Sequence, residues 1–524
     1  MTTDLVAVEA RNAGGVYCGS SWFEYRDLVE RLPSFAGLAA QRPRTFYLGD
    51  TERGERVWGE FVSANFFGVL GVQPALGRFF LPAEAASPGG APVAVISHGF
   101  WQRLFRGAPD AIGRTIKLNG RTLTVIGIAP AGFAGGFNAL GFDVWVPLTM
   151  ARELIPATRD LIARDSRAFI LLATLKPGVT HAQAEGELDA AARSLAHDHP
   201  DTNTGLVFDL LPLWRTPRGG AVQAGALATL QLFAALILAV VCVNTANLLL
   251  ARASVRQREI GIRLALGAGA TRIVRQLLTE SVLLALAGAA GGALLALLGV
   301  EALRQIPLPT TVPVRLDAAF DWRSLAFAGG IGVGCGLLFG LAPALQLART
   351  DVQNALRGGR GSLTGRSRLR DILVAMEMAV ALVMLVLAGL FLKSFHNAQT
   401  LHPGFAVDRV LLATVDLAGR GYTQTGTISF LRDLQTRLQA LPGVEAAAMA
   451  GIVPLDIRGL PKNRVSIDGA PRSDGIVSQI LFYNITPGYL ATMGVPLVAG
   501  SDLAPLDQNN RPLDAIINEE MARR

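Results

Sequence analysis

Lysine is nearly missing from this chain of 524 residues: there are only Lys117, Lys176, Lys393 and Lys462, and none follows a glycine. A phosphate-cradling loop needs Gly-Lys-Ser/Thr, whose backbone amides and ammonium hold the nucleotide. Lys393 does precede Ser394, but at the end of an apolar run instead of after a strand, so no nucleotide hydrolysis is expected from these residues. Cysteine is scarce too. Cys18, Cys242 and Cys335 stand far apart, which leaves neither a disulfide framework nor a CxxC metal site. His197 and His199 in "AHDHPDTNTG" come nearest to a metal cluster, and their polar surroundings read as a solvated loop. Ser97 in "ISHGF" lacks the leading glycine of a nucleophile elbow. The reading therefore expects no catalytic residue, cofactor, metal or nucleic-acid site. Charge is thin as well: 17% of residues are charged against 51% hydrophobic, with a positive mean hydropathy. That balance lies outside the range of ordinary soluble domains.

What is abundant is long apolar sequence. Ala221 to Ala251, Ser281 to Val300 and Ser324 to Ala348 carry no charge, and Ile372 to Leu392 carries one acid, Glu377. A membrane crossing takes about 20 apolar residues, and buried core helices of soluble enzymes seldom run so long. Four spans are expected. Lys and Arg stay in the cytoplasmic loops. Arg252, Arg256, Arg258, Arg263, Arg272 and Arg275 lie between the first two spans, and Arg349, Arg357, Arg360, Arg366, Arg368 and Arg370 between the last two. Both loops are placed inside the cell, with residues 1 to about 220 and 396 to 524 outside. "MTTDLVAVEARNAGGVYCGS" does not have the basic and apolar regions of a signal peptide, so a further span upstream is expected.

The basic loop "RQREIGIRLALGAGATRIVRQLL" has internal order. Glu259 precedes Arg263 by four residues, the favourable direction for a helical ion pair, while Ile260 and Leu264 share one face and Ile262 and Leu266 a neighbouring one. "GAGAT" then breaks the helix, with Gly267 or Gly269 as terminator and Thr271 as N-cap of the next span. Within the spans, Gly330, Gly332, Gly334, Gly336 and Gly340 give small-xxx-small spacings suited to close helix packing, either within one bundle or at a mobile interface. Glu377 would be costly at the bilayer centre. Its simplest partners are Arg368 and Arg370, and a relay role is the alternative.

The chain also repeats itself. "VSANFFGVLGVQPALGR" (62–78) aligns without a gap on "ITPGYLATMGVPLVAGS" (485–501), and "VAVISHGFWQRLF" at 93 finds a counterpart in "DAIINEEMARR" at 514. The first copy goes on through "GRTIKLNGRTLTVIGIAPAGF" to three spans, so three more spans are expected beyond residue 524.

These motifs resemble the FtsX/MacB-type ABC transporter permeases. The "REIGIRLALGA" core looks like their permease signature, and residues 18–150 look like the MacB-type periplasmic core domain. The tandem arrangement is similar to that of duplicated, acidobacterial-type orphan permeases. The resemblance implies a membrane α-helical bundle with α+β MacB-like periplasmic domains. Its parts would be a first periplasmic core domain (1–220), an FtsX-like three-span permease domain (221–348), a basic cytoplasmic linker (349–371), a fourth span (372–395) and an incomplete second periplasmic copy (396–524). It also implies a multi-pass inner-membrane subunit whose elbow, through Glu259, Gly261, Arg263, Gly267 and Ala268, docks a separate ABC ATPase. Membrane lipid and a periplasmic partner would be its other contacts. A transporter with its own solute or lipid path and an uncoupled sensor or scaffold remain the alternatives.

Overall fold

The computed structural model describes residues 5–49, 54–137, 140–156, 163–217, 220–255, 259, 262–263, 266, 269–304, 322–348, 363–401, 403–406, 408–415, 417, 422, 424–452, 462–464, 479–504 and 514–523. The chain divides into two compact units, Met1–Ala221 with His402–Arg524, and Val222–Leu401.

The first unit is organised by a mixed sheet. Its strands are β1 (Leu5–Arg11), β2 (Phe35–Leu48), β3 (Glu55–Val62), β4 (Leu76–Gly77), β5 (Val93–Ile96), β6 (Thr115–Leu118), β7 (Arg121–Ile128), β8 (Val144–Pro147), β9 (Ile170–Leu175) and β10 (Val207–Pro212). They lie in the order β10-β1-β9-β2-β3-β8-β5-β7-β4, with β6 pairing to β2 and β7. Alternation along each strand gives the sheet two apolar faces. On one, Val57, Phe61 and Leu171 pack with Tyr25 and Leu28 of α1 (Trp22–Arg31), Phe100 of α3 (His98–Phe105), and Ala184, Leu188 and Leu195 of α4 (His181–Asp198). On the other, Val62 and Leu172 pack with Phe80, Phe142 and Trp145, and with Phe66 and Phe67 of the single turn α2 (Phe66–Val69).

Local chemistry sets the helix ends. A capping box of Ser21 and Glu24 starts α1, and one of Thr180 and Gln183 starts α4. Ser97, passed over as a nucleophile, is the N-cap of α3: its hydroxyl accepts from Phe100 N at 3.1 Å. The solvated-loop reading of 197–199 needs correcting. The Ala-rich run of α4 carries the helix through His197 to Asp198, which pairs with Arg31 at 3.0 Å, and His199 is the C-cap.

The second unit consists of long helices: α5 (Gly220–Val255), α6 (Ala270–Arg304), α7 (Trp322–Ala348) and α8 (Leu363–Thr400). Stretches long and apolar enough to cross a membrane occur at Gly220–Thr245, Thr271–Leu303 and Val374–Thr400. The glycine-rich α7, with 27 residues, also has the length of a crossing at about 1.5 Å per residue. The helices outrun the apolar sequence that signals them. Arg272, Arg275 and Glu280 lie inside α6, and Arg366, Arg368 and Arg370 inside α8. Arginine and glutamate are good helix formers, so the helix continues where the hydrocarbon would end. The start of α6 also differs from expectation. Arg272 N and Ile273 N donate to Gly269 O at 3.0 and 3.4 Å, which puts Gly269 at the cap and Thr271 inside the first turn.

After α8, within the first unit, come α9 (Gln424–Gln439), β11 (Lys462–Arg464), β12 (Gln479–Leu481), α10 (Tyr489–Thr492) and α11 (Glu519–Arg523). Here the hydrogen bonds of the Ala40–Ser63 contact and of the turn at 63–72 recur. Ser63 N donates to Ala40 O at 2.9 Å and Ala40 N to Ser63 Oγ at 3.0 Å. Thr486 N likewise donates to Met449 O, and Met449 N to Thr486 Oγ1, both at 2.9 Å. One helical turn follows in each case, closed by Val72 N on Phe67 O (2.9 Å) and by Val495 N on Leu490 O (2.8 Å). Gly71 and Gly494 then take φ of +66° and +65°, a conformation that only glycine adopts at low cost. The bridge Ala450–Ile485 stands where Gln41 pairs Val62, and β11–β12 where β2 pairs β3. Asn518 Oδ1 accepts from Met521 N at 2.9 Å, as Ser97 does from Phe100 N.

Candidate functional site

Of the residues singled out in the elbow, Glu259 and Arg263 are described, while Gly261, Gly267 and Ala268 lie outside the described residues. Glu259 Oε1 and Arg263 Nη2 are 2.6 Å apart, one helical turn from each other. Both side chains are about half exposed, so the pair contributes only about 0.3–0.5 kcal/mol. Its geometry matters more than its strength. The other arm of the guanidinium, Nη1, reaches Gln276 Oε1 of α6 at 3.4 Å. Arg263 thus ties Glu259 to the first turns of the following helix. Beside this brace, Ile262 (46%) and Leu266 (82%) are exposed, and Leu266 N donates to Ile262 O at 3.0 Å. Ile273, at the root of α6, is buried. The elbow thus carries a small apolar face next to an ion pair.

In the helical unit, Glu377 meets a residue that the sequence reading did not consider. Asn247 Nδ2 of α5 donates to Glu377 Oε2 of α8 at 3.3 Å, joining two helices that are 130 residues apart. The side chains of Arg368 and Arg370 lie outside the described residues. The glycines of α7 show less contact than their spacing suggests. A Cβ built on Gly330, Gly332 or Gly334 would meet no atom within 4 Å, so these three do not mark a close approach to α6, against which α7 packs. The surroundings of Gly336 and Gly340 lie outside the described residues.

Gln276 and Asn247 were missed because nothing local distinguishes them. Gln276 acts only through its contact with Arg263, and Asn247 only through its contact with Glu377 of α8. Asn247 is nevertheless the last amide in an otherwise apolar run, "CVNTANLLLA", and a polar residue at that depth was a usable signal.

A bundle of apolar helices interrupted by a basic elbow and joined to an α+β sheet domain defines a membrane permease. Residues 2–191 match the MacB-like periplasmic core domain, and residues 231–352 the FtsX-like permease C-terminal family. The chain belongs to the FtsX/MacB-type ABC transporter permeases and is a membrane protein with a MacB-like periplasmic domain. The macrolide export ATP-binding/permease protein MacB of Salmonella typhi is 28% identical over 299 residues, 56% of this chain and 42% of that protein. The protein of the same name from Shigella boydii serotype 4 is 30% identical over 300 residues, with the same shares. The chain thus spans less than half the length of the curated relatives it matches. Among solved structures, the periplasmic region of MacB from Actinobacillus actinomycetemcomitans aligns with 40% of this chain and 88% of its own, at 13% identity and a TM-score of 0.31.

Proposed function

We propose that this permease works as a lever: an ABC ATPase subunit docks on the cytoplasmic elbow, and its nucleotide-driven movement passes through the spans to the periplasmic domains. The observation that carries this reading is the Arg263 fork, which holds Glu259 at 2.6 Å and Gln276 at 3.4 Å. A push on the exposed Ile262–Leu266 face would reach α6 through the Arg263–Gln276 contact. Gly261, Gly267 and Ala268 belong to the same docking segment. Orientation follows from the arginines of the two basic loops, which keep both on the cytoplasmic side of a bacterial inner membrane. Hydrolysis would come from the separate subunit, since the matched regions are permease regions. The relatives are named for macrolide export, so export is the direction we propose, and a periplasmic partner and membrane lipid complete the assembly.

A solute path through the bundle has one observation in its favour, the Asn247–Glu377 contact between α5 and α8. A single polar contact does not line a path, and the lever remains the better reading. The test is to reconstitute the full chain with an ATPase subunit that co-purifies with it and to measure ATP hydrolysis. Glu259→Gln combined with Arg263→Gln should abolish the stimulation given by the permease while leaving its membrane insertion intact. Undiminished stimulation in the double variant would rule the elbow out.

A further inference from the structure

The chain has six tryptophans. Trp145 is buried and Trp22, Trp58 and Trp101 are half-buried, all within the periplasmic sheet domain. The two exposed ones, Trp214 (56%) and Trp322 (71%), stand where spans begin. Each is followed by an arginine whose guanidinium lies over its ring, Arg215 at 4.8 Å and Arg323 at 5.9 Å from the centroid.

Backbone contacts hold Trp214 beside the first turn of α5. Strand β10 ends in a short turn of helix, Leu213–Arg215, and the chain then folds back on it. Thr216 Oγ1 donates to Leu213 O at 2.9 Å, and Ala221 N donates to Thr216 O at 3.1 Å. A Cβ on the buried Gly220 would stand 2.1 Å from Leu213 O, so only glycine lets the strand end sit this close to the helix start. Leu213 in turn packs against the core of the sheet. The residue next to Trp214 thus touches Gly220, where the apolar stretch Gly220–Thr245 starts. Trp322 is itself the first residue of α7. Helices α5 and α6 each cross between the two tryptophans, which puts both on one side of the membrane, that of the periplasmic domain.

An indole has an apolar body and a single N–H, which suits neither bulk water nor hydrocarbon, so it collects where headgroups meet acyl chains. A guanidinium stays positive, and its planar fork of donors matches phosphate oxygens. Among the described residues Arg215 has no acidic partner, and a phospholipid phosphate beside the span supplies that charge. We propose that Trp214–Arg215 and Trp322–Arg323 are phospholipid anchors: both indoles lie among the headgroups of the periplasmic leaflet, and Arg215 takes a lipid phosphate while stacked on Trp214. The anchors fix the depth at which α5 and α7 enter the bilayer. They deepen the lipid contact named above, and they rest on α5, α6 and α7 crossing the membrane, not on docking at the elbow.

Tryptophan fluorescence of the full chain, reconstituted in phosphatidylcholine vesicles brominated either near the glycerol end of the acyl chains or near their middle, tests this. The expected result is stronger quenching by the shallow bromines, most of which disappears in Trp214→Phe combined with Trp322→Phe. Shallow quenching that survives in the double variant, or mid-chain bromines that quench the two rings as strongly, overturns the proposal. Arg215→Gln in the Trp322→Phe background leaves Trp214 as the exposed reporter. Its quenching should shift from the shallow towards the mid-chain bromines, and an unchanged balance overturns the phosphate contact. If the double variant does not insert, Trp214→Phe and Trp322→Phe decide singly, and whichever loses no shallow quenching overturns its anchor. None of these readings involves ATP hydrolysis, so failure of the lever and failure of the anchors are told apart.

Discussion

The turns at 63–72 and 486–495 share a hydrogen-bond pattern and differ in what surrounds them. Both hang on a hydroxyl, Ser63 or Thr486, that accepts from the neighbouring strand, and both follow it with a left-handed glycine. The interiors part company. Around the first, Glu60 and Gln41 are buried against Gly135 and Gly136 and Glu24 is buried against Arg167, while around the second the matched positions hold Tyr483 and Ala450, and Asp433 pairs with Arg437 at the surface. The difference teaches that the turn is specified by a few hydrogen-bonding and glycine positions, whereas the polar interior is free to diverge.

Substitutions can break that contrast. The largest effect is expected from Arg167→Ala, which strands the buried Glu24 carboxylate and should cost about 3–5 kcal/mol. Arg437→Ala removes an exposed i,i+4 partner and should cost less than about 0.5 kcal/mol. Thermal unfolding of the two detergent-solubilised variants, monitored by tryptophan fluorescence, compares them directly, and equal losses would show the second region to be as tightly built as the first. Next comes the shared hydroxyl. Ser63→Ala leaves the buried Ala40 amide without its acceptor and should cost about 1–3 kcal/mol. In the half-buried second site, Thr486→Ala should cost less, as water can replace the hydroxyl there.

The smallest effect concerns acid. Asp209 of β10 is held below the usual carboxylate range by hydrogen bonds from Arg11 of β1, at 2.6 and 2.9 Å. Its folded value is depressed, so its contribution is present above the ordinary carboxylate range and is lost as pH falls through the lowered value. Asp209→Asn should flatten that acid limb of the stability curve. A variant with an unchanged acid limb would exclude this pair as its source.

Much of the helical unit was legible because hydrocarbon demands uninterrupted apolar sequence, which pure counting detects. Helix ends were not, since α6 and α8 run on through arginines that hydropathy treats as loop. In the sheet, the motifs around Phe66 and Ser97 marked an internal repeat, but β1 was read only as a failed leader. Its partners are β9 and β10, with Val6 opposite Pro212, and no local pattern reveals a pairing at that separation. The Glu259–Arg263 spacing was visible as a helical pair, while Gln276 and the Asn247–Glu377 contact depend on how distant segments meet.

The account depends on which side of the membrane carries the elbow. With Cys18, Cys242 and Cys335 replaced by serine and a single cysteine at Leu266, the most exposed apolar side chain described in the elbow (82%), a membrane-impermeant maleimide reports that side directly. The lever account predicts modification in everted vesicles and none in intact cells with a permeabilised outer membrane. Modification from the outside of intact cells would contradict it.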